Sequence, residues 1–387
     1  MLKAYKTEIK PTEEQKLIIN KTIGVSRFIY NFYIAHNKEV YEKEKKFVSA
    51  YNFSKWLNND FILNNGEYYW IKEVSTKSVK QSILNAQTAF LNFFKGKSKF
   101  PKFKKKNKSN VKMYFVKDNK TDCLVERHRI KIPTLKYVRL KEYGYIPTNA
   151  VVSSGTVSIE AGRYYVSCVV KQEEKLNKVK LTNTGIGIDL GIKELAVCSN
   201  KKIYHNINKI SDNIKKVEKK LKRELRSLAR KVLNIKRNKN KEERRAYQNK
   251  TKNVLRVQKL YQRLANIRKD YTNKVVNEIV KTKPSYITIE NLNIKGMMKN
   301  KHLSKAIQEQ NLYYFRQILT NKCKENNIEL RVANRFYPSS KMCNHCGTIH
   351  KELKLKDRVF KCDCGHEVDR DYNASCNLRD CRDYKVA

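Results

Sequence analysis

Six of the ten cysteines fall within the last 45 residues, and four of these stand in two close pairs. Cys343-Asn-His-Cys346 and Cys362-Asp-Cys364 are separated by fifteen residues. Four thiolates at that spacing suit one tetrahedral zinc ion. A short, loop-rich stretch such as 337–368 has little apolar core of its own, so bound metal would hold it together. The second pair is C-x-C rather than C-x-x-C. His345, His350 and His366 could each replace a thiolate, but an imidazole more often stands beside such a site than in it. Cys376 and Cys381 lie past the module and read as non-ligands. Ten cysteines in 387 residues are too sparse for a disulfide framework, which points to a reducing compartment.

Three acids form the second constellation. Asp189 sits mid-strand in GIGIDLGI, Glu290 closes ITIENL, and Asp371 opens a helix in DRDYNAS. An ionised carboxylate in an apolar strand is costly unless something neutralises it. Singly, each could face water or cap a helix. Together they fit magnesium (or manganese), which takes oxygen ligands beside substrate phosphates. Two such ions clamp the attacking and leaving oxygens of a phosphodiester.

These residues need elements to carry them. Residues 2–10 read as a strand, and Thr12 with Gln15 as a capping box at a helix start. A helical, aromatic-rich region follows to about Phe94; most of its rings belong in a core, and a few could stack on bases. From 111 to 180 the period is two, with a hairpin turn at Ala161-Gly162, suggesting a small barrel. Residues 185–206 give three successive strands. A basic helical hairpin comes next, its two stripes running from Ile214 to Ile235 and from Val254 to Tyr271. Then come a strand at 285–292, a helix from Ser304 to about Asn326, a strand at 328–336, the cysteine module and a last short helix. An acid on the first of three strands, another on the fourth and a third on the final helix is the order of a ribonuclease H-like core of the RuvC kind.

Charge narrows the function. Lys and Arg number 84 against 37 Asp and Glu, a formal net charge of +47, which excludes an ordinary metabolic enzyme as the first reading. The most abundant polyanion able to neutralise such a surface is nucleic acid. No apolar run approaches a membrane span and the first residues are not a signal peptide, so the expected setting is cytoplasmic, beside the nucleoid when bound to DNA. Residues 95–108 hold eight lysines and no acid. Lys97, Lys99, Lys102, Lys104, Lys105 and Lys106, interleaved with Phe100 and Phe103, read as a loop that tracks a nucleic-acid backbone. Residues 211–270 hold 22 Lys and Arg against 6 Asp and Glu, and their polar faces read the same way.

The motifs AYKTEIKPTEEQ, FPKFKKK, GIDLGI, IENLNI, RFYPSSKMCNHCG, CDCG and DRDYNASCNL span the chain and resemble those of the TnpB family, transposon-encoded RNA-guided nucleases related to the smallest type V CRISPR effectors. The resemblance implies an α/β multidomain protein. Its parts would be a RuvC-like core (182–336 and 368–387) with a zinc-ribbon insert (337–367), and a wedge-like β-barrel (1–10 and 109–181) holding a helical recognition lobe (11–108). It implies Asp189, Glu290 and Asp371 as catalytic magnesium ligands, with Asp369 only supporting, and Cys343, Cys346, Cys362 and Cys364 as ligands of one structural zinc. It implies a guide RNA from the transposon end, a double-stranded DNA target beside a short protein-read motif, and a monomer bound to one RNA. Other readings are a strand-transferring transposase, a catalytically silent RNA-guided repressor and a compact type V CRISPR effector. The intact acids favour the active nuclease.

Overall fold

The computed structural model describes residues 2–106, 108–119, 122–148, 150–171, 180–237, 243–353 and 357–387. Asn107 of the lysine-rich stretch, residues 238–242 between the two helical stripes and residues 354–356 of the cysteine module lie outside the described residues. The chain divides into two units, Met1–Glu174 and Lys175–Ala387.

In the first unit, β1 (Leu2–Lys10) leads into α1 (Glu13–Glu44). The Thr12 hydroxyl accepts from the Gln15 backbone N–H, and the Gln15 side chain accepts from that of Thr12, the reciprocal cap read from the sequence. After α2 (Ala50–Trp56), a π-helical turn and α3 (Ile62–Asn64), a 3₁₀ stretch leads to α4 (Thr76–Phe94). Rings fill the space between these helices. Phe32 alone meets Phe53, Trp56 and Phe61 at centroid distances of 5.7, 5.9 and 4.9 Å. Tyr51 and Tyr69 stay exposed.

The same unit adds β2 (Met113–Val116), β3 (Arg129–Ile132), β4 (Lys136–Leu140), β5 (Val151–Glu160) and β6 (Arg163–Lys171). All six strands pair antiparallel in the order β2-β5-β6-β1-β4-β3, and every second side chain enters an apolar core. The β5–β6 turn has positive φ at both Ala161 (50°) and Gly162 (73°), as a two-residue hairpin requires. No pairing joins the outer strands β2 and β3 among the described residues, so the expected barrel stands here as a six-stranded sheet.

The second unit begins with β7 (Ile186–Leu190), β8 (Glu194–Cys198) and β9 (Ile203–His205), then α5 (Ile207–Ile210) and the paired helices α6 (Asp212–Arg237) and α7 (Glu243–Lys281). Ile214, Val217 and Leu221 of α6 pack on Val257, Leu260 and Leu264 of α7, so the apolar stripes are the helix–helix seam. Next come β10 (Tyr286–Ile289), α8 (Ile294–Met297), α9 (Ser304–Gln310), α10 (Leu312–Glu325) and β11 (Glu329–Ala333). The helix expected from Ser304 to Asn326 is two helices, because Asn311 turns left-handed (φ 54°), a conformation asparagine tolerates. The chain ends with β12 (Val359–Lys361), β13 (Glu367–Asp369), α11 (Arg370–Arg379) and β14 (Tyr384–Val386), a strand the sequence reading lacked. The main sheet runs β14-β11-β10-β7-β8-β9, with β7, β10 and β11 parallel. Ile186, Ile188 and Leu190 join the core formed with Ile287, Ile289, Val276 and Phe315.

Candidate functional site

Register places the first two acids. Ile289 pairs with Ile188 across parallel strands, so Glu290, one residue beyond β10, comes level with Asp189 in β7. Alternation then puts both carboxylates on the face opposite Ile188 and Ile289. Gly187, two residues before Asp189, shares that face. A β-carbon on it would lie 1.9 Å from the Ser375 carbonyl oxygen and 2.4 Å from the Arg379 nitrogen. Helix α11 therefore lies directly on β7, and only glycine permits that approach. Its first turn carries Asp371, and Asp189 feels the charges of both Glu290 and Asp371.

Burial, then these two neighbours, pushes the Asp189 carboxyl well above its usual range. Burial also raises Glu290, with Asp371 adding to it. The Ser339 hydroxyl, donating to Glu290 Oε1 at 2.5 Å, opposes the rise. Asp371 meets Arg370 Nη2 at 3.3 Å and Arg358 Nη1 at 3.7 Å. Asp369 caps α11, accepting from the backbone N–H groups of Asp371 and Tyr372, each at 3.0 Å. Asp189 and Glu290 are thus two buried carboxyls of raised proton affinity with Asp371 near them.

The four cysteines come together more tightly. Their ligand atoms lie within 4.8 Å of one another, the one such group of three or more ligands among the described residues, so the three acids are spaced more widely. Sγ–Sγ distances are 3.7 Å for Cys343–Cys364 and 3.5 Å for Cys346–Cys362. A zinc tetrahedron with Zn–S near 2.3 Å has edges of about 3.8 Å, so the set fits zinc. Hydrogen bonding with the Thr348 side chain and backbone holds the Cys346 thiol down to about 6. His350 Nε2 lies 3.2 Å from Cys362 Sγ, beside the set rather than in it. Gly347 and Gly365 take positive φ (78° and 83°) just after each pair, turning the chain back. Cys376 and Cys381 are buried elsewhere.

The cysteine module is stitched to α11 by two buried asparagines that sequence reasoning missed. Asn377 Nδ2 donates to the carbonyls of Ser339 (2.7 Å) and Met342 (2.6 Å). Asn373 donates to Met342 O at 2.7 Å and accepts from Asn344 N at 3.1 Å. Ser339, Arg358 and Arg370 also escaped notice. The available signal was a pair of amides one turn apart on a short helix, where apolar side chains would ordinarily sit.

In the first unit, Lys97, Lys99, Lys102, Lys105 and Lys106 are exposed. Lys104 is half-buried with Nζ 4.9 Å from the Tyr30 ring centre. Its backbone exchanges two hydrogen bonds with the Asn31 amide, at 2.7 and 2.9 Å. Phe100 packs on Phe90 and Phe93 at 5.5 and 5.4 Å. The basic stretch is pinned at two points.

Family models match three parts of the chain. Residues 167–301 match the OrfB_IS605 model, "Probable transposase"; residues 313–378 match "Cas12f1-like, TNB domain"; and residues 1–46 match "Helix-turn-helix domain". That last region is here a strand followed by one 32-residue helix. The Escherichia coli K12 protein "Putative RNA-guided DNA endonuclease InsQ" is 28% identical over 393 residues, 97% of this chain and 91% of that protein. The Streptomyces pristinaespiralis protein "Putative RNA-guided DNA endonuclease" is 28% identical over 383 residues, 97% of this chain and 88% of its own. Among solved structures, a Cas12f1–sgRNA–target DNA complex matches with a TM-score of 0.58 at 14% identity, covering 100% of this chain and 99% of that one, a likeness of fold. No helix among the described residues is long and apolar enough to cross a membrane. Both ends and the middle are thus matched, and along nearly its whole length the chain is similar to proteins designated putative RNA-guided DNA endonucleases.

Proposed function

We propose that this protein is an RNA-guided DNA endonuclease of a transposon, hydrolysing target phosphodiesters at Asp189, Glu290 and Asp371. The observation that carries the reading is Asp189: a carboxylate buried in a central strand with Glu290 level beside it and α11 bringing Asp371 to the same face. Such a cluster is costly for a fold to keep and useful to a nuclease. Two magnesium or manganese ions held there would supply the positive charge that stabilises the attacking and leaving oxygens. The chain's own part is to hold the acids. Ser339 orients Glu290, Asp369 fixes the first turn of α11, and Arg370 and Arg358 restrain Asp371. The four cysteines would hold one zinc and so fix the module that anchors α11.

The +47 charge supports nucleic-acid partners. A guide RNA pairs with the target strand, so the protein grips backbone and A-form shape. In this reading the RuvC-like core is 182–336 with 368–387 and the zinc ribbon 337–367, while 1–10 with 109–181 is the wedge and 11–108 the recognition lobe.

The test is purification with bound RNA, sequencing of that RNA, and incubation in magnesium with DNA carrying the complementary sequence. Cleavage dependent on the matched sequence and on all three acids is expected. Binding of matched DNA without any cleavage would make the protein a silent repressor and would falsify the nuclease assignment.

A further inference from the structure

Glu290 opens onto a groove. A cavity of about 250 Å³ is lined by Glu290, Ser339, Asn334 and Arg335. A second, of about 350 Å³, shares Asn334 and Arg335 with it and reaches Arg316 and Lys385. The groove thus leads from a buried carboxylate to three cations. Neither Arg335 nor Lys385 has a carboxylate partner among the described residues.

Next to Arg335 stands Phe336. It is 86% exposed, more than any other large apolar side chain among the described residues. The backbone that carries it is held: Phe336 N donates to the Asn334 side-chain Oδ1 at 3.2 Å, Tyr337 N to Asn334 O at 3.1 Å, and Asn334 N to Asp383 O at 3.0 Å. The Arg335 guanidinium lies 5.9 Å from the ring centre. At 86% exposure the ring buries little against the fold and leaves its faces open. A nucleobase offers it a π-face, and the neighbouring guanidinium matches the phosphate of the same nucleotide. Bases in a duplex are already stacked, so the ring selects an unpaired strand.

We infer that Phe336 is a positioning residue, stacking on an unpaired base of the DNA strand entering the acidic centre while Arg335 takes the adjacent phosphate. This rests on the nuclease reading above and adds the way the strand is held.

The test uses the RNA-bound protein and guide-matched DNA, with binding and single-turnover cleavage measured separately for Phe336→Ala, Phe336→Leu and Phe336→Trp. Abasic nucleotides are scanned along the strand displaced by the guide. Phe336→Ala should cut about tenfold more slowly, as loss of one base–aromatic stack implies, with guided binding and melting unchanged. Phe336→Trp should restore the rate and Phe336→Leu should not. One abasic position should slow the wild type and leave Phe336→Ala no slower than before. Wild-type cleavage by Phe336→Ala, rescue by leucine equal to that by tryptophan, or the absence of any such abasic position would overturn the inference and leave the nuclease reading standing. A wild type that cuts no guide-matched DNA defeats both.

Discussion

Gly187 and the carbonyl of Ser375 are in direct apposition: a β-carbon on the glycine would lie 1.9 Å from that oxygen, with the Arg379 nitrogen at 2.4 Å. Both neighbours are backbone, so neither can swing aside. Gly187→Ala must push α11 off β7, and Asp371 moves with the helix. Cleavage should fall by more than a hundredfold while guided binding persists, and the second unit should lose about 3 kcal/mol, as overpacking against fixed atoms does. Cleavage kinetics with parallel denaturant melts check this. An alanine variant that cuts normally would show the helix free to shift without displacing Asp371.

Much of this site was legible in the sequence because its parts are local patterns. Asp189 stood out as an acid among Gly, Ile and Leu, and Thr12 with Gln15 announced a cap later seen as two reciprocal hydrogen bonds. The cysteine spacing foretold sulfur atoms at near-tetrahedral edges. What stayed hidden depends on contacts between distant segments. Ser339 meets Glu290 across 49 residues, and Asn377 reaches the Ser339 carbonyl across 38. The last strand, β14, is three residues long, too short to show a period. It is secured by the Arg331 guanidinium between the Tyr286 and Tyr384 rings, at 3.6 and 4.5 Å. The expected helix 304–326 failed at one asparagine whose left-handed φ no periodicity reveals.

Asp189 should make stability and metal affinity move oppositely with pH. Its folded-state proton affinity is raised by burial and by Glu290 and Asp371. In magnesium-free buffer the folded state therefore holds a proton that the unfolded chain releases near its ordinary pKa of about 3.9. Stability contributed by that proton is present below about pH 4 and is lost as pH rises through the folded value. A divalent cation competes for the same oxygens, so its affinity should climb over that window. Asp189→Asn keeps the shape and removes the charge. At pH 7 without magnesium it should melt about 2–4 °C above the wild type, the equivalent of about 1 kcal/mol for a unit of this size, while cutting nothing. A difference in melting temperature that does not vary with pH would remove Asp189 from the proton-binding group.

Zinc should govern the nuclease centre through α11. One zinc per chain is expected from elemental analysis, and Cys346→Ser should lower that content. With the module loosened, Ser339 and Met342 lose their places against Asn377 and Asn373, and both Glu290 and Asp371 lose support. Asn377→Leu separates the stitch from the metal. It should retain zinc, lose about 1–3 kcal/mol through unpaired buried carbonyls, and cut more slowly. Full activity in Asn377→Leu would mean that the module and the acids are independent.

The pinned lysine stretch offers a way to tell charge from shape. Lys97, Lys99, Lys102, Lys105 and Lys106 are free to meet phosphates, whereas the Lys104 backbone is fixed by Asn31 and its ammonium rests over Tyr30. Changing the five exposed lysines to glutamine should weaken RNA binding. The slope of log affinity against log salt should also flatten by up to about 4, since each lost phosphate contact releases roughly one counterion fewer. Asn31→Ala leaves every charge in place and frees only the backbone. It should reduce affinity by a smaller factor with the slope nearly unchanged, because the loop must now be ordered on binding. Filter binding across a salt series reads both. A slope untouched by the five glutamines would make the stretch a connector with no phosphate contacts, whatever its charge.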